Sequence, residues 1–69
     1  MCTETFLHLP EEKKHRFLEA AWVEFTTVSF ASASINQIIR RAGIPRGSFY
    51  QYFSDKSDLF FYLMNLIGA

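Results

Sequence analysis

The sequence predicts an all-α fold in which three helices form a compact bundle and a fourth helix begins near the end of the chain. Three observations carry this prediction. Apolar residues recur at helical spacing between Phe17 and Val28. A shorter helical stretch follows, bounded by a serine that can cap it and by Gly43. Pro45 cannot continue that stretch, but it can begin another helix.

The first helix is predicted from about Pro10 to Val28. Proline suits the start of a helix, and Glu11 and Glu12 favour the positive end of its dipole. The expected buried face comprises Phe17, Leu18, Ala21, Trp22, Phe25 and Val28.

The second helix is predicted from Ile35 to Ala42. Ser34 and Gln37 have the spacing of a capping box, in which each side chain accepts a hydrogen bond from the backbone N–H of the other residue. Gly43 supplies the residue type that most often ends a helix in the left-handed conformation.

The third helix is predicted from Pro45 to Tyr52, with Ile44, Phe49 and Phe53 facing inward. Two helical turns have little intrinsic stability, so packing must hold this helix. Its expected outward residues are Arg46, Gly47, Ser48 and Gln51. A helix, a short helix, a glycine turn and a second short helix form a homeodomain-like helix-turn-helix arrangement.

The fourth helix is expected after a cap at Ser54 or Asp55. Its residues 59–67 are apolar on nearly every side, whereas a surface helix normally has a polar face. The segment is too short to cross a bilayer, so we expect no membrane partner. Because the fourth helix lacks a polar face, we expect protein outside these 69 residues to cover its apolar side chains. One alternative is a small helical interaction module that binds another protein through residues 59–67.

The charges are unevenly distributed although the formal net charge is zero. Between Phe25 and Ser54 there is no acidic residue, and the charged side chains are Arg40, Arg41 and Arg46. A neutral chain with this distribution can present one basic face to phosphates. Arg40 and Arg41 are interpreted as solvated charges.

Cysteine content and motif content argue against other classes of protein. The single cysteine, Cys2, cannot form an internal disulfide, and no Cys/His spacing suggests zinc. The first sixteen residues hold no long apolar core, so no secretory signal is expected. Glu12 and His15 form one E-x-x-H pair, but a di-iron site needs two pairs and further carboxylates. We expect no enzymatic activity, no metal and no cofactor.

Several segments together carry a resemblance to a known family. These are Ala20-Ala21-Trp22-Val23-Glu24-Phe25, Ser34-Ile35-Asn36-Gln37-Ile38, Ala42-Gly43-Ile44-Pro45-Arg46-Gly47-Ser48-Phe49-Tyr50-Gln51-Tyr52-Phe53 and Asp55-Lys56-Ser57-Asp58-Leu59. Over roughly residues 15–62 the chain resembles the N-terminal DNA-binding domain of TetR-family transcriptional regulators. Ser29, Ala33 and Ile39 depart from the family pattern.

The resemblance implies a role for each residue of the helix-turn-helix. The third helix would be the recognition helix in the major groove of duplex DNA, with Arg46, Gly47, Ser48 and Gln51 nearest the bases. Other predicted DNA-binding residues are Ser34, Pro45, Tyr50, Tyr52 and Lys56, chiefly through phosphates. The alternative for Tyr50 and Tyr52 is that of core aromatics with hydrated hydroxyls. Phe49 and Phe53 already occupy the inward direction, which favours the phosphate interpretation.

The resemblance also implies a domain organisation and partners. Residues 1–9 would be an N-terminal arm, residues 10–54 the DNA-binding domain, and residues 55–69 the start of a helix leading to an absent C-terminal domain. That domain would bind a small-molecule effector and form a homodimer. The expected function is that of a cytoplasmic, ligand-released repressor that recognises a pseudo-palindromic operator.

Overall fold

The computed structural model describes residues 3–68. Over these residues the chain forms five α-helices and one turn of 3-10 helix, at Phe30–Ser32, with no strand. The helices are α1 (Glu4–Leu7), α2 (Glu11–Thr27), α3 (Ile35–Ala42), α4 (Arg46–Tyr52) and α5 (Lys56–Gly68). The predicted all-α class is confirmed.

Helix α2 is the first predicted helix and forms one wall of the core. Pro10 is its N-cap, and Glu11 and Glu12 occupy its first turn. Phe17, Ala20 and Ala21 are buried on the side that faces the other helices. Trp22 and Val28, which the apolar spacing assigned to the buried face, are instead 42% and 38% exposed.

Helices α3 and α4 form the helix-turn-helix with the predicted capping at its turn. Gly43 has a φ of 74°, in the left-handed region, and its N–H and that of Ile44 both donate to the carbonyl of Ile39. The Ser34 hydroxyl accepts from the N–H of Gln37 at 3.3 Å. The other half of the capping box is replaced: the N–H of Ser34 donates to Glu24 Oε2, from α2, at 2.9 Å.

A helix that the sequence did not predict, α1, lies within the segment assigned to an N-terminal arm. Phe6 is completely buried in the core, where its ring contacts those of Phe17, Tyr52, Phe53 and Tyr62. One isolated phenylalanine creates no helical periodicity, which is why the pattern did not indicate a helix here. Residues 1 and 2, including the lone cysteine, lie outside the described part of the chain.

Helix α5 begins after a cap made by Asp55, one of the two predicted capping residues. Asp55 Oδ1 accepts from the N–H of Asp58 at 2.8 Å. Leu59 and Leu63 are buried against the bundle, whereas Phe61 is 67% exposed. The apolar residues of α5 are therefore only partly covered by the rest of the domain.

None of the helices between residues 3 and 68 is long and apolar enough to span a membrane.

Candidate nucleic-acid interface

The exposed face of α4 brings together most of the residues predicted nearest to the bases. Arg46, Gly47 and Gln51 are exposed, and Ser48 is half-buried at the edge of this face. Tyr50 is 46% exposed on the same side of the helix. The opposite side, formed by Phe49, Tyr52 and Phe53, is buried. The core therefore holds α4 in place and leaves a polar surface available to a partner.

Arg46 connects the two helices of the motif. Its guanidinium donates to Asn36 Oδ1, on the first turn of α3, and to the Tyr50 hydroxyl at 3.3 Å. The guanidinium carbon also lies 5.6 Å from the centroid of the Tyr50 ring. These contacts orient a positive charge beside the face of α4. Sequence reasoning missed Asn36, because a residue adjacent to a capping box has no distinctive spacing of its own.

Gly47 is a glycine that the fold itself does not require. It is helical and exposed, and a Cβ added to it would meet no atom of residues 3–68 within 4 Å, its two chain neighbours and its own helix backbone aside. Gly47 is the second residue of α4, and glycine is less favourable in a helix than alanine. Gly43, by contrast, has the positive φ that favours glycine. The arrangement at Gly47 permits the close approach of something outside the domain.

Tyr52 lies in the core. It is 8% exposed, and its ring centroid is 5.6 Å from that of Phe6 and 5.5 Å from that of Phe17. The burial of Tyr52 agrees with the alternative interpretation given above, in which this tyrosine is a core aromatic. Its adjacency to Phe53 suggested an outward direction, but α1 covers the side of α4 on which Tyr52 lies.

Lys56, at the start of α5, contacts the 3-10 turn that precedes α3. Its Nζ donates to the carbonyls of Phe30 at 2.9 Å, Ala33 at 3.1 Å and Ala31 at 3.4 Å. Nζ also lies 4.7 Å from the centroid of the Phe30 ring. The ammonium group therefore holds the turn that leads into the Ser34 cap.

Ser34 is held at the start of α3 by Glu24. This carboxylate is buried, and besides accepting the Ser34 N–H it lies 4.0 Å from the guanidinium of Arg41. Arg41 is therefore not the fully solvated charge that the sequence suggested. Arg40 is exposed, with no acidic group within 4 Å in the described residues.

Pro45 is exposed at the N-terminus of α4, next to Arg46. No group of three or more metal-ligating side chains occurs among residues 3–68. The exposed face of α4 therefore offers polar side chains, the oriented guanidinium of Arg46 and the accessible backbone at Gly47.

The arrangement matches known proteins over most of the chain. The family model for bacterial regulatory proteins of the tetR family matches residues 17–63. The HTH-type transcriptional regulator HbdR of Aromatoleum sp. (strain CIB) is 40% identical over 53 residues, which are 77% of this chain and 23% of HbdR. The HTH-type transcriptional regulator AcrR of Shigella flexneri is 38% identical over 50 residues, which are 72% of this chain and 23% of AcrR.

A solved structure is similar over nearly the whole chain. The crystal structure of a TetR family transcriptional regulator from Chloroflexus aurantiacus J-10-FL superposes with a TM-score of 0.91 and 53% sequence identity, covering 96% of this chain and 30% of that one. The chain spans about a quarter of the length of the curated relatives. It belongs to the TetR family of bacterial transcriptional regulators and has the fold of that family's helix-turn-helix DNA-binding domain.

Proposed function

We propose that this domain binds duplex DNA in a sequence-specific manner, with α4 lying in the major groove. The observation that carries the proposal is the exposed face of α4, and Gly47 above all. Glycine is less favourable than alanine in a helix, and among residues 3–68 there is room for a side chain at Gly47, so a partner surface that comes close to the backbone would explain this glycine.

The side chains around Gly47 suit base edges. Arg46 can donate two parallel hydrogen bonds to guanine, and Gln51 can pair in a similar way with adenine. Ser48 has a short hydroxyl that can donate or accept. The contact between Arg46 and Asn36 holds the guanidinium before DNA arrives, so less side-chain entropy is lost on binding.

The remaining predicted residues fit phosphate contacts to different degrees. The exposed Tyr50 hydroxyl and the Ser34 cap are the most direct candidates, and Pro45 places the start of α4. Lys56 already has three carbonyl acceptors, so we assign it the role of holding the turn before Ser34. Tyr52 supports α4 from the core side.

We further propose that the regulator acts in the cytoplasm as a homodimeric repressor on a pseudo-palindromic operator, released by a small-molecule effector. Support comes from family membership, and from relatives that carry about three quarters of their length outside the matched region. A dimer places two recognition helices in successive major grooves. We assign the dimer contacts and the effector site to the part of the regulator that corresponds to that remaining length.

A second candidate function is favoured by the surface of α5. Phe61, Leu66 and Ile67 are each more than half exposed, which suits a protein-interaction module. This candidate gives no reason for the polar face of α4 or for Gly47.

An amide-shift titration with mixed-sequence duplex DNA at low salt tests the proposed function. It detects weak binding, which is expected because a single domain lacks the gain in affinity from a second one. We expect shifts at residues 33–34 and 45–56. Arg46→Ala should weaken binding by about 5- to 100-fold, the range for loss of one bidentate base contact.

Arg40→Ala is the matched control, because it removes the same charge from an exposed position on α3. It should affect binding much less than Arg46→Ala. Unchanged α4 amides would refute the DNA-binding proposal and would direct the search to a protein partner for residues 59–67.

A further inference from the structure

We propose that Lys13 and Arg16, on α2, form a second contact to the DNA backbone, on the flank of α4 away from Arg46. This inference rests on the proposed DNA-binding function. It concerns residues that neither the sequence motif nor the exposed face of α4 includes.

The two side chains line a cavity of about 210 Å³ between α2 and the helix-turn-helix. Ser48 and Tyr52 line the same cavity from α4, and Gly43 lines it from the turn. Lys13 and Arg16 are exposed at its rim, whereas Tyr52 lies on the buried side. The cavity therefore combines two cations with hydroxyl groups beside the recognition helix.

Across residues 3–68, no carboxylate lies within 4 Å of the charged group of Lys13 or Arg16. The neighbouring Lys14 differs, since its Nζ lies 3.3 Å from Glu11 and donates to the Leu7 carbonyl. A single turn of α2 thus carries the paired Lys14 together with two cations, Lys13 and Arg16, that have no ion pair among residues 3–68.

The basic surface continues past the cavity. Arg16 also lines a shallower depression that it shares with Arg41 and with the exposed Glu19. Arg41 already faces the buried Glu24, which makes it the weaker candidate for an outside anion. Of these two arginines, Arg16 is therefore better placed to bind an anion from outside the domain.

The position relative to α4 indicates a phosphate rather than a base. Ser48 marks one edge of the exposed face of α4, and the cavity begins there. A helix lying in the major groove has a DNA strand along each flank, and each flank faces phosphates. Tyr50, which we assigned to a phosphate contact, lies on the other flank, where its hydroxyl accepts from Arg46. The guanidinium of Arg16 can bind phosphate oxygens through two parallel hydrogen bonds, and Lys13 adds a point charge.

The salt dependence of DNA binding tests this inference. The affinity of the chain for a mixed-sequence duplex is measured by fluorescence anisotropy across a range of salt concentrations. Each lost phosphate contact should reduce the slope of log K against log salt by about 0.9. The double variant Lys13→Ala/Arg16→Ala should therefore lower the slope by nearly 2, and it should weaken binding to different sequences equally.

Lys14→Ala is the control, because it removes one positive charge from the position next to Lys13. Its slope should remain that of the unmodified chain. If the double variant has the slope of Lys14→Ala while Arg46→Ala still weakens binding, the second contact is refuted and the proposed function stands. If the unmodified chain does not bind DNA, both are refuted. Thermal unfolding of each variant separates loss of binding from loss of fold.

Discussion

Replacing Glu24 with alanine should destabilise the domain more than any other change to an acidic residue of α2. Glu24 is 5% exposed, and its Oε2 accepts from the backbone N–H of Ser34 at 2.9 Å. The alanine variant leaves that partly buried N–H without its acceptor. Since Ser34 caps α3, the change acts on the start of the helix-turn-helix.

The magnitude follows mainly from this hydrogen bond. A hydrogen bond to a charged group contributes about 1.5–3 kcal/mol, and a buried N–H left unpaired costs about 1–3 kcal/mol. The contact with Arg41 adds little, because its atoms are 4.0 Å apart and the arginine side chain is 44% exposed. Removing a buried carboxylate recovers part of its desolvation cost. We therefore expect a net loss of about 2 kcal/mol in the free energy of unfolding.

Urea unfolding followed by far-ultraviolet circular dichroism measures this loss. A domain of this size has a total stability on the order of 3–10 kcal/mol, so the change is large in proportion. The corresponding fall in Tm is about 10 °C. Glu24→Gln keeps an acceptor oxygen but removes the charge, so it should lose about half as much stability.

Glu19→Ala is the control, because Glu19 is an exposed acid on the same helix. It should change the stability by less than about 0.5 kcal/mol. Equal unfolding midpoints for Glu24→Ala and Glu19→Ala would show that the hydrogen bond to Ser34 does not stabilise the motif, and the reasoning would be wrong.

Four further predictions concern the turn, the first turn of α4, the start of α5 and the exposed apolar surface. Gly43→Ala should lower the free energy of unfolding in urea by about 1 kcal/mol, because φ is 74° at this position. Gly47→Ala should raise the free energy of unfolding by about 0.5–1 kcal/mol and should weaken DNA binding in the amide-shift titration. A Gly47→Ala variant that binds DNA as well as the unmodified chain would contradict the role of that glycine. Lys56→Met keeps the apolar stem but removes three hydrogen bonds. It should lower the free energy of unfolding in urea by about 1 kcal/mol and shift the amide resonances of residues 30–34. Unchanged amide resonances would refute the role of Lys56 in holding the turn. Phe61→Ser should reduce self-association of the chain in analytical ultracentrifugation, because Phe61 is 67% exposed; a clean monomer of the unmodified chain at high concentration would contradict this.

The motif helices could be predicted closely because their signals are local. The bounds of α3 agree with the prediction at both ends, and those of α2 and α4 agree to within one residue. A capping serine, a left-handed glycine and a proline act within a few residues of their own positions. The outward direction of Arg46 and Gly47 followed from helical spacing once Phe49 and Phe53 were assigned to the core.

The features that could not be predicted depend on residues far apart in the chain. Helix α1 is stabilised by Phe6, whose partners come from α2, α4 and α5. The burial of Tyr52 follows from that docking, since α1 covers its side of α4. No periodicity within residues 1–9 carries this information.

The sequence by itself determined the all-α class, the helix-turn-helix and its polar face, because periodicity, capping and turn chemistry are properties of neighbouring residues. Only the tertiary structure decided which hydrogen-bond partners the polar groups have. The Ser34 N–H binds Glu24 instead of Gln37, and Lys56 binds the carbonyls of the 3-10 turn. Lys13 and Arg16 line a cavity beside α4 and have no acidic partner within 4 Å among residues 3–68. Such pairings depend on distances across the folded core, which a linear pattern does not contain.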